Sequence, residues 1–326
     1  MERIRGDKLI IVLMRLETMK KKNSNFSPKS RINYKKKSNQ RPVLWLLPLL
    51  VFMSAFYLIP IVNVIRLSFT NATLIRPSTG YTLQTFIRVL TDRNFPGIIS
   101  VTLFFVFFSV LFQFLLGFLI ALSVNKGEQL FMKGTVLTRT LSLVSWAIPG
   151  VAIGIIWRIM YGETASGILN HLLSFVGVGP IPFLSDPQVA LASATVANVW
   201  RGTAQSMILL YAGLKTVPMD ILEAASVDGA NGFRKLISVV IPAMKPVIMI
   251  NLLLNTIATF NTFDMIMPLT GGGPGRSTEV LILNVFRTTF QQMDLSRGAA
   301  TAVVVLMINV LFGSLYLWLN RRDRHG

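Results

Sequence analysis

The run IISVTLFFVFFSVLFQFLLGFLIALSV, residues 98–124, contains no charged side chain. A helix needs about 20 apolar residues to cross roughly 30 Å of hydrocarbon, so this run alone predicts a membrane-spanning helix. Working outward along the chain gives five more apolar blocks of that length, at residues 43–65, 141–161, 189–213, 246–269 and 299–320, of which the middle three hold one charge each, Arg158, Arg201 and Asp264. The composition agrees. Of 326 residues 52% are apolar and only 14% charged, with a mean hydropathy of +0.58, against roughly 25% charged in an average soluble domain. The expected fold is an all-α integral membrane domain of six transmembrane helices.

Zero cysteines exclude a disulfide framework, thiolate metal sites and cysteine nucleophiles. Two histidines, His171 and His325, cannot build a histidine metal centre. The net charge of +18 is dominated by residues 1–41, which hold 13 basic and 3 acidic residues. That run reads as a solvated topology determinant that also attracts anionic lipid; no nucleic-acid recognition module accompanies it. Lysine and arginine collect on cytoplasmic flanks. The segments 1–41, 125–139, 214–245 and 321–326 together carry 23 of them, and the alternate segments 66–97, 162–188 and 270–298 carry 7, so both termini are expected in the cytoplasm. The organisation is then a basic, largely disordered tail over 1–41, one six-span domain over 42–320 and a short basic tail over 321–326.

The cytoplasmic segment between the fourth and fifth blocks has internal order. It reads Pro218-Met219-Asp220-Ile221-Leu222-Glu223-Ala224-Ala225-Ser226-Val227-Asp228-Gly229-Ala230-Asn231-Gly232-Phe233, followed by Ile241-Pro242 and Lys245-Pro246. The pattern predicts helix, turn, helix: Asp220 placed to cap the first, Gly229 as the left-handed stop, Asn231 to cap the second, and Pro242 before the next span. Small residues on such helices make a compact knob at the membrane surface, and an interfacial hairpin on lipid fits the same pattern.

These residues resemble the inner-membrane permease subunits of binding-protein-dependent ABC importers, in the maltose-permease-like sugar branch. The resemblance rests on Glu223-Ala224-Ala225, Asp228-Gly229-Ala230 and Ile241-Pro242. It extends to Ala212-Gly213-Leu214, Val217-Pro218, Phe263-Asp264 and Leu269-Thr270-Gly271-Gly272-Gly273-Pro274 with Thr278, over approximately residues 43–320. It implies a cytoplasmic coupling loop that seats in a separate ATPase, with Glu223, Ala224, Ala225, Asp228 and Gly229 as the ATPase-coupling residues. It further implies a second permease subunit forming a heterodimer, two ABC ATPase subunits that bind ATP and Mg, an external solute-binding protein, and a place in the bacterial inner membrane. No cofactor and no metal are expected in this chain. Gly271–Ser277 differs from a phosphate loop, because Arg276 stands where the lysine would be; a rigid outer turn is the simpler reading.

Polar groups within spans call for a partner or a water-filled cavity. Asn251, Asn255, Thr259 and Thr262 recur at spacings of four, four and three, on one helical face, where hydrogen bonding between helices and a solute pathway are equally served. The family resemblance implies a substrate pathway of Asn255, Ala258, Thr259 and Thr262, with Arg201, Gly202 and Gln205 as the matching turn of the fourth span. An arginine in mid-span costs about 2.5–3.5 kcal/mol to insert. Arg201 therefore either pairs with an acidic group of the partner subunit or binds an anionic substrate, a uronate oligosaccharide being the class a guanidinium suits. A pair with Asp264 would have to bridge different depths. Arg158 is near a span end and reads as structural, Trp45, Trp157 and Trp318 as interface anchors, and Trp200 as packing. Pro48, Pro60 and Pro149 predict kinks.

Three functional classes compete. An importer permease leads; a secondary transporter of a small polar or anionic solute would need coupling-ion carboxylates and a repeated half; and a membrane enzyme would need a cluster of acids or histidines at membrane depth.

Overall fold

The computed structural model describes residues 42–164 and 167–322; the tail at 1–41 lies outside them. Among the described residues the regular elements are helices, and the β-structure is a single isolated bridge, Thr70 to Tyr81. In chain order they are α1 (Trp45–Ser68), α2 (Gln84–Leu90), α3 (Phe95–Gln129), α4 (Thr135–Ala147), α5 (Gly150–Met160), α6 (Ile168–Ser174), α7 (Pro187–Lys215), α8 (Met219–Val227), α9 (Gly232–Phe260), α10 (Ile266–Leu269), α11 (Leu281–Phe286) and α12 (Leu295–Arg322). The chain divides into a first unit through Phe56, whose described part is apolar helix, and a second from Tyr57 onward that holds both candidate sites below.

Four helices, α1, α3, α9 and α12, are long and apolar enough to cross a membrane, and a fifth span follows if the bent pair α4–α5 counts as one. The remaining block expected to cross, α7, has 29 residues but is too polar to qualify on composition. Its polar groups are turned inward: Ser193, Asn198, Thr203 and Ser206 are all buried. The two long central helices, α3 and α7, pack along their length. Gly117 makes this possible, since a Cβ there would overlap the Ser206 side chain and stand 2.9 Å from the Met207 nitrogen. Below that contact Phe118, Ala121, Met207, Leu210 and Met244 close an apolar cluster of α3, α7 and α9; above it Phe105, Ile153, Ala194, Phe260 and Ile266 form another. Outward faces carry exposed Phe104, Phe107, Leu119 and Val310, the pattern of a surface solvated by lipid.

Several local expectations are corrected. The third block bends where Pro149 predicts, but far more than a kink: α4 and α5 meet at 101° across Ile148 and Pro149, because extended backbone at both residues ends one helix and restarts the next. In the loop, Pro218 is the N-cap of α8 and Asp220 sits in its first turn without capping it. Asn231 does cap the next helix, accepting from the Arg234 N–H at 2.9 Å. That helix is not a separate short one. It continues through a π-turn, Leu236–Val240, into the spanning helix, so Pro242 falls inside α9. The π-turn ends just before Pro242, whose missing N–H would otherwise leave a gap in the ladder. The same block stops early, at Phe260, not near Leu269. Trp157 packs edge-on against Trp200 at 6.1 Å and beside Tyr161.

Candidate functional site

Where α7 faces α9, the inward polar side chains leave a cavity of about 340 Å³. All seven residues expected along a pathway line it: Arg201, Gly202 and Gln205 from α7, Asn255, Ala258 and Thr259 from α9, and Thr262 just beyond. Asn251, one turn further along α9, is fully buried outside it. The polar stripe of α9 thus divides. Asn251 belongs to packing, whereas Asn255 and Thr259 both line the cavity and reach α7, through Asn255 Nδ2 to Ser206 Oγ at 2.6 Å and Asn198 Nδ2 to Thr259 Oγ1 at 3.5 Å.

Five further residues complete the wall, Gln113, Trp146, Asn198, Asn261 and Asp264, and sequence reasoning did not single them out as lining it. Two of them had signals to follow. Gln113 is the one amide in an otherwise apolar run, and its Nε2 donates to the Asn198 carbonyl at 2.9 Å. Asn198, Arg201 and Gln205 are spaced three and four apart, one face of a helix. Gly202 has no side chain because Gln113 occupies that space; a Cβ would fall 2.7 Å from Gln113 Oε1.

Arg201 and Asp264 form a bidentate pair, Nη1 to Oδ1 and Nη2 to Oδ2, each 2.9 Å. Their side chains remain 29% and 41% exposed, to the cavity. The expected difference in depth vanishes because α9 ends early. Asn261 caps its own helix end through Nδ2 to the Ile257 carbonyl at 2.7 Å, and the Phe263 N–H folds back to the Asn261 carbonyl at 2.9 Å. A helix would have carried residue 264 onward by about 1.5 Å per residue; the turn returns it to the level of Arg201. Asp264 also lies against the first residue of α5, since a Cβ on Gly150 would overlap its carboxylate. One turn on, Gly154 admits the Met265 carbonyl and Pro268 in the same way, so Gly150 and Gly154 form the flat face on which α10 rests.

The glycine-rich turn is tied down from within. Gly271, Gly272 and Gly275 take positive φ, Thr278 Oγ1 donates to the Gly273 carbonyl at 2.8 Å, and buried Glu279 accepts from Arg287 at 2.8 Å and lies 3.4 Å from Arg276. Arg276 therefore has a structural partner. Beside the turn is a second cavity, of about 490 Å³, bordered by Arg158, Glu163, Ser185 and Pro274. Arg158 Nη1 reaches the Pro268 carbonyl at 3.4 Å. Glu163 receives the Leu184 and Ser185 N–H groups at 3.0 and 2.6 Å. Hydrogen bonding from the Ser185 side chain, against the opposing effect of burial and helped by those two backbone N–H groups, holds its carboxyl below the usual carboxylate value.

At the other candidate site, α8 carries Glu223 and Ala224 exposed and Ala225 half-buried, with Asp228 as its exposed C-cap. Leu222 packs toward the α3–α7–α9 cluster. Gly229 has φ +77°, its N–H bonds the Ser226 carbonyl at 3.1 Å and the Ala230 N–H bonds the Ala225 carbonyl at 2.9 Å, the paired pattern of a Schellman stop. Lys235 Nζ to Ser226 Oγ at 2.5 Å joins the two arms. No group of three or more histidine, aspartate or glutamate side chains suited to a metal occurs among the described residues.

Residues 113–325 match the family described as the binding-protein-dependent transport system inner membrane component. The chain is 33% identical to the trehalose/maltose transport system permease protein MalF of Thermococcus litoralis, over 86% of this chain and 94% of that one. It is 31% identical to the probable ABC transporter permease protein YesP of Bacillus subtilis, over 89% and 94%. Among solved structures it superposes on a chain of a bacterial ABC transporter involved in import of the acidic polysaccharide alginate, with a TM-score of 0.74 and 20% identity, over 86% of this chain and 94% of that chain; at that identity the likeness is one of fold.

Proposed function

The chain belongs to the inner membrane components of binding-protein-dependent transport systems, and from that premise we propose that it is the permease subunit of an ATP-driven importer of sugars or oligosaccharides, with the cavity between α7 and α9 as its solute site. The observation that carries this reading is the convergence of Arg201, Gly202, Gln205, Asn255, Ala258, Thr259 and Thr262 on one cavity. Its wall of amides and hydroxyls can both donate to and accept from a polyhydroxylated solute. A cavity of about 340 Å³ is of the order that small solutes occupy.

Transport of such a solute needs a driving device, and α8 has the form of one. It protrudes with Glu223, Ala224 and Asp228 exposed, and Asp228 sits at the helix end where the dipole disfavours a carboxylate, an arrangement that a basic docking surface would relieve. The other arm is continuous with α9, so a push on the loop is transmitted along one helix to Asn255 and Thr259. ATP and Mg²⁺ belong, in this reading, to two separate ATPase subunits. A second permease subunit completes the passage, an external binding protein delivers the solute, and the lysine and arginine distribution supports a cytoplasmic position for both termini.

The test is ATP hydrolysis and solute uptake in liposomes by the chain assembled with its partner permease, its ATPase subunits and its binding protein. Saccharide-loaded binding protein should stimulate both. Hydrolysis indifferent to every saccharide, with no uptake, would overturn the reading.

A further inference from the structure

The cavity between α7 and α9 contains one cation and one anion, and they are bound to each other. Arg201 presents the fork that would take a carboxylate of a solute, yet both Nη atoms already point to Asp264 at 2.9 Å. Asp264 also stands close to a second element. It lies against Gly150, the first residue of the eleven-residue helix α5, and a helix N-terminus favours a negative group. The position thus has the makings of an anion site, and the chain fills it with its own carboxylate. What is left facing the cavity is uncharged: the amides and hydroxyls of Gln205, Asn255, Asn261, Thr259 and Thr262, beside the Trp146 ring.

We propose that Asp264 is a built-in counter-charge that sets this cavity to take neutral saccharides and to exclude acidic ones, with Gly150 as the positioning residue that admits the carboxylate. The inference rests on the reading of the cavity as the solute site. An anionic solute entering here would meet a site of no net charge and would have to displace Asp264 from Arg201, leaving one carboxylate unpaired in a partly desolvated place. A neutral sugar faces no such exchange. Removing the charge of Asp264 reverses the situation, because Arg201 and the α5 terminus then face the cavity together.

The test is equilibrium dialysis of the complex of this chain with its partner permease and ATPase subunits, without the binding protein, so that selection by that protein does not enter. The probes are radiolabelled maltose and digalacturonate. The native complex should retain maltose in preference to digalacturonate. Asp264→Asn should gain digalacturonate binding by at least tenfold, and Arg201→Gln with Asp264→Asn should lose that gain. Gly150→Ala, which crowds the carboxylate without removing it, should move in the same direction by less, and it carries the test if Asp264→Asn fails to assemble. A native complex that binds digalacturonate more tightly than maltose overturns the proposal, as does an assembled Asp264→Asn complex with no gain. Failure of the importer reading shows separately, as absence of saccharide-stimulated ATP hydrolysis by the native complex.

Discussion

Single residues decide the chemistry of the cavity through what they lack as much as what they carry. Gly202 leaves room for Gln113, which in turn holds the Asn198 carbonyl. Gly202→Ala should push Gln113 from that bond into the cavity, raising the apparent KM for solute uptake while the amount of protein in the membrane stays unchanged; initial uptake rates check this. Glu163 is a residue with a pH signature. Its carboxyl is held below the ordinary 4.5, so the clamp on Leu184 and Ser185 is fully present above that value and is lost as the pH falls through the lowered one. The protection of the amides of residues 184 and 185 against hydrogen exchange, relative to their intrinsic rates, should fall over that acid range, and Glu163→Gln should remove the pH dependence of that protection. At this scale the sequence was partly legible. The spacing of Asn255, Thr259 and Thr262 announced a shared face, but the partner of Arg201 was hidden, because only the turn after Phe260 sets the depth of Asp264.

At the scale of elements, the α3–α7 contact and the α8 stop are the most exposed to substitution. Gly117→Val would force Ser206 and the α7 backbone apart, and over-packing of this kind costs about 1–3 kcal/mol; less folded protein and a lower midpoint of thermal unfolding in detergent are expected. Gly229 has φ +77°, where a residue with a Cβ pays about 1–2 kcal/mol, so Gly229→Val should unwind the end of α8. Saccharide-stimulated ATP hydrolysis should fall while solute binding persists. Long apolar helices such as α3 were readable from composition, because hydrocarbon demands internally satisfied backbone. The right angle between α4 and α5 and the fusion of the second loop arm with α9 were not. A proline announces a break in the ladder without stating its size, and neighbours such as Asp264 and Met265, packed on Gly150 and Gly154, determine the path taken.

For the whole molecule, the exposed apolar faces call for lipid and partner helices, and exposed Glu223 on α8 is the residue proposed to meet a partner outside the membrane. Glu223→Lys should leave the chain in the membrane and uncouple ATP hydrolysis from solute uptake in the reconstituted importer; uptake at the native rate would remove Glu223 from the coupling contact. The amino-acid sequence by itself determined the membrane class, the inward-turned polar residues of the fourth and fifth blocks and the turn at Gly229 that ends the first loop helix, since each follows from local periodicity, charge and turn chemistry. Only the tertiary structure decided that Arg201 meets Asp264, that Gln113 and Asn198 join the cavity, and that Asn251 does not. Those outcomes depend on where α9 ends and how closely α3, α5 and α7 approach, and such distances are set by packing between segments far apart in the chain.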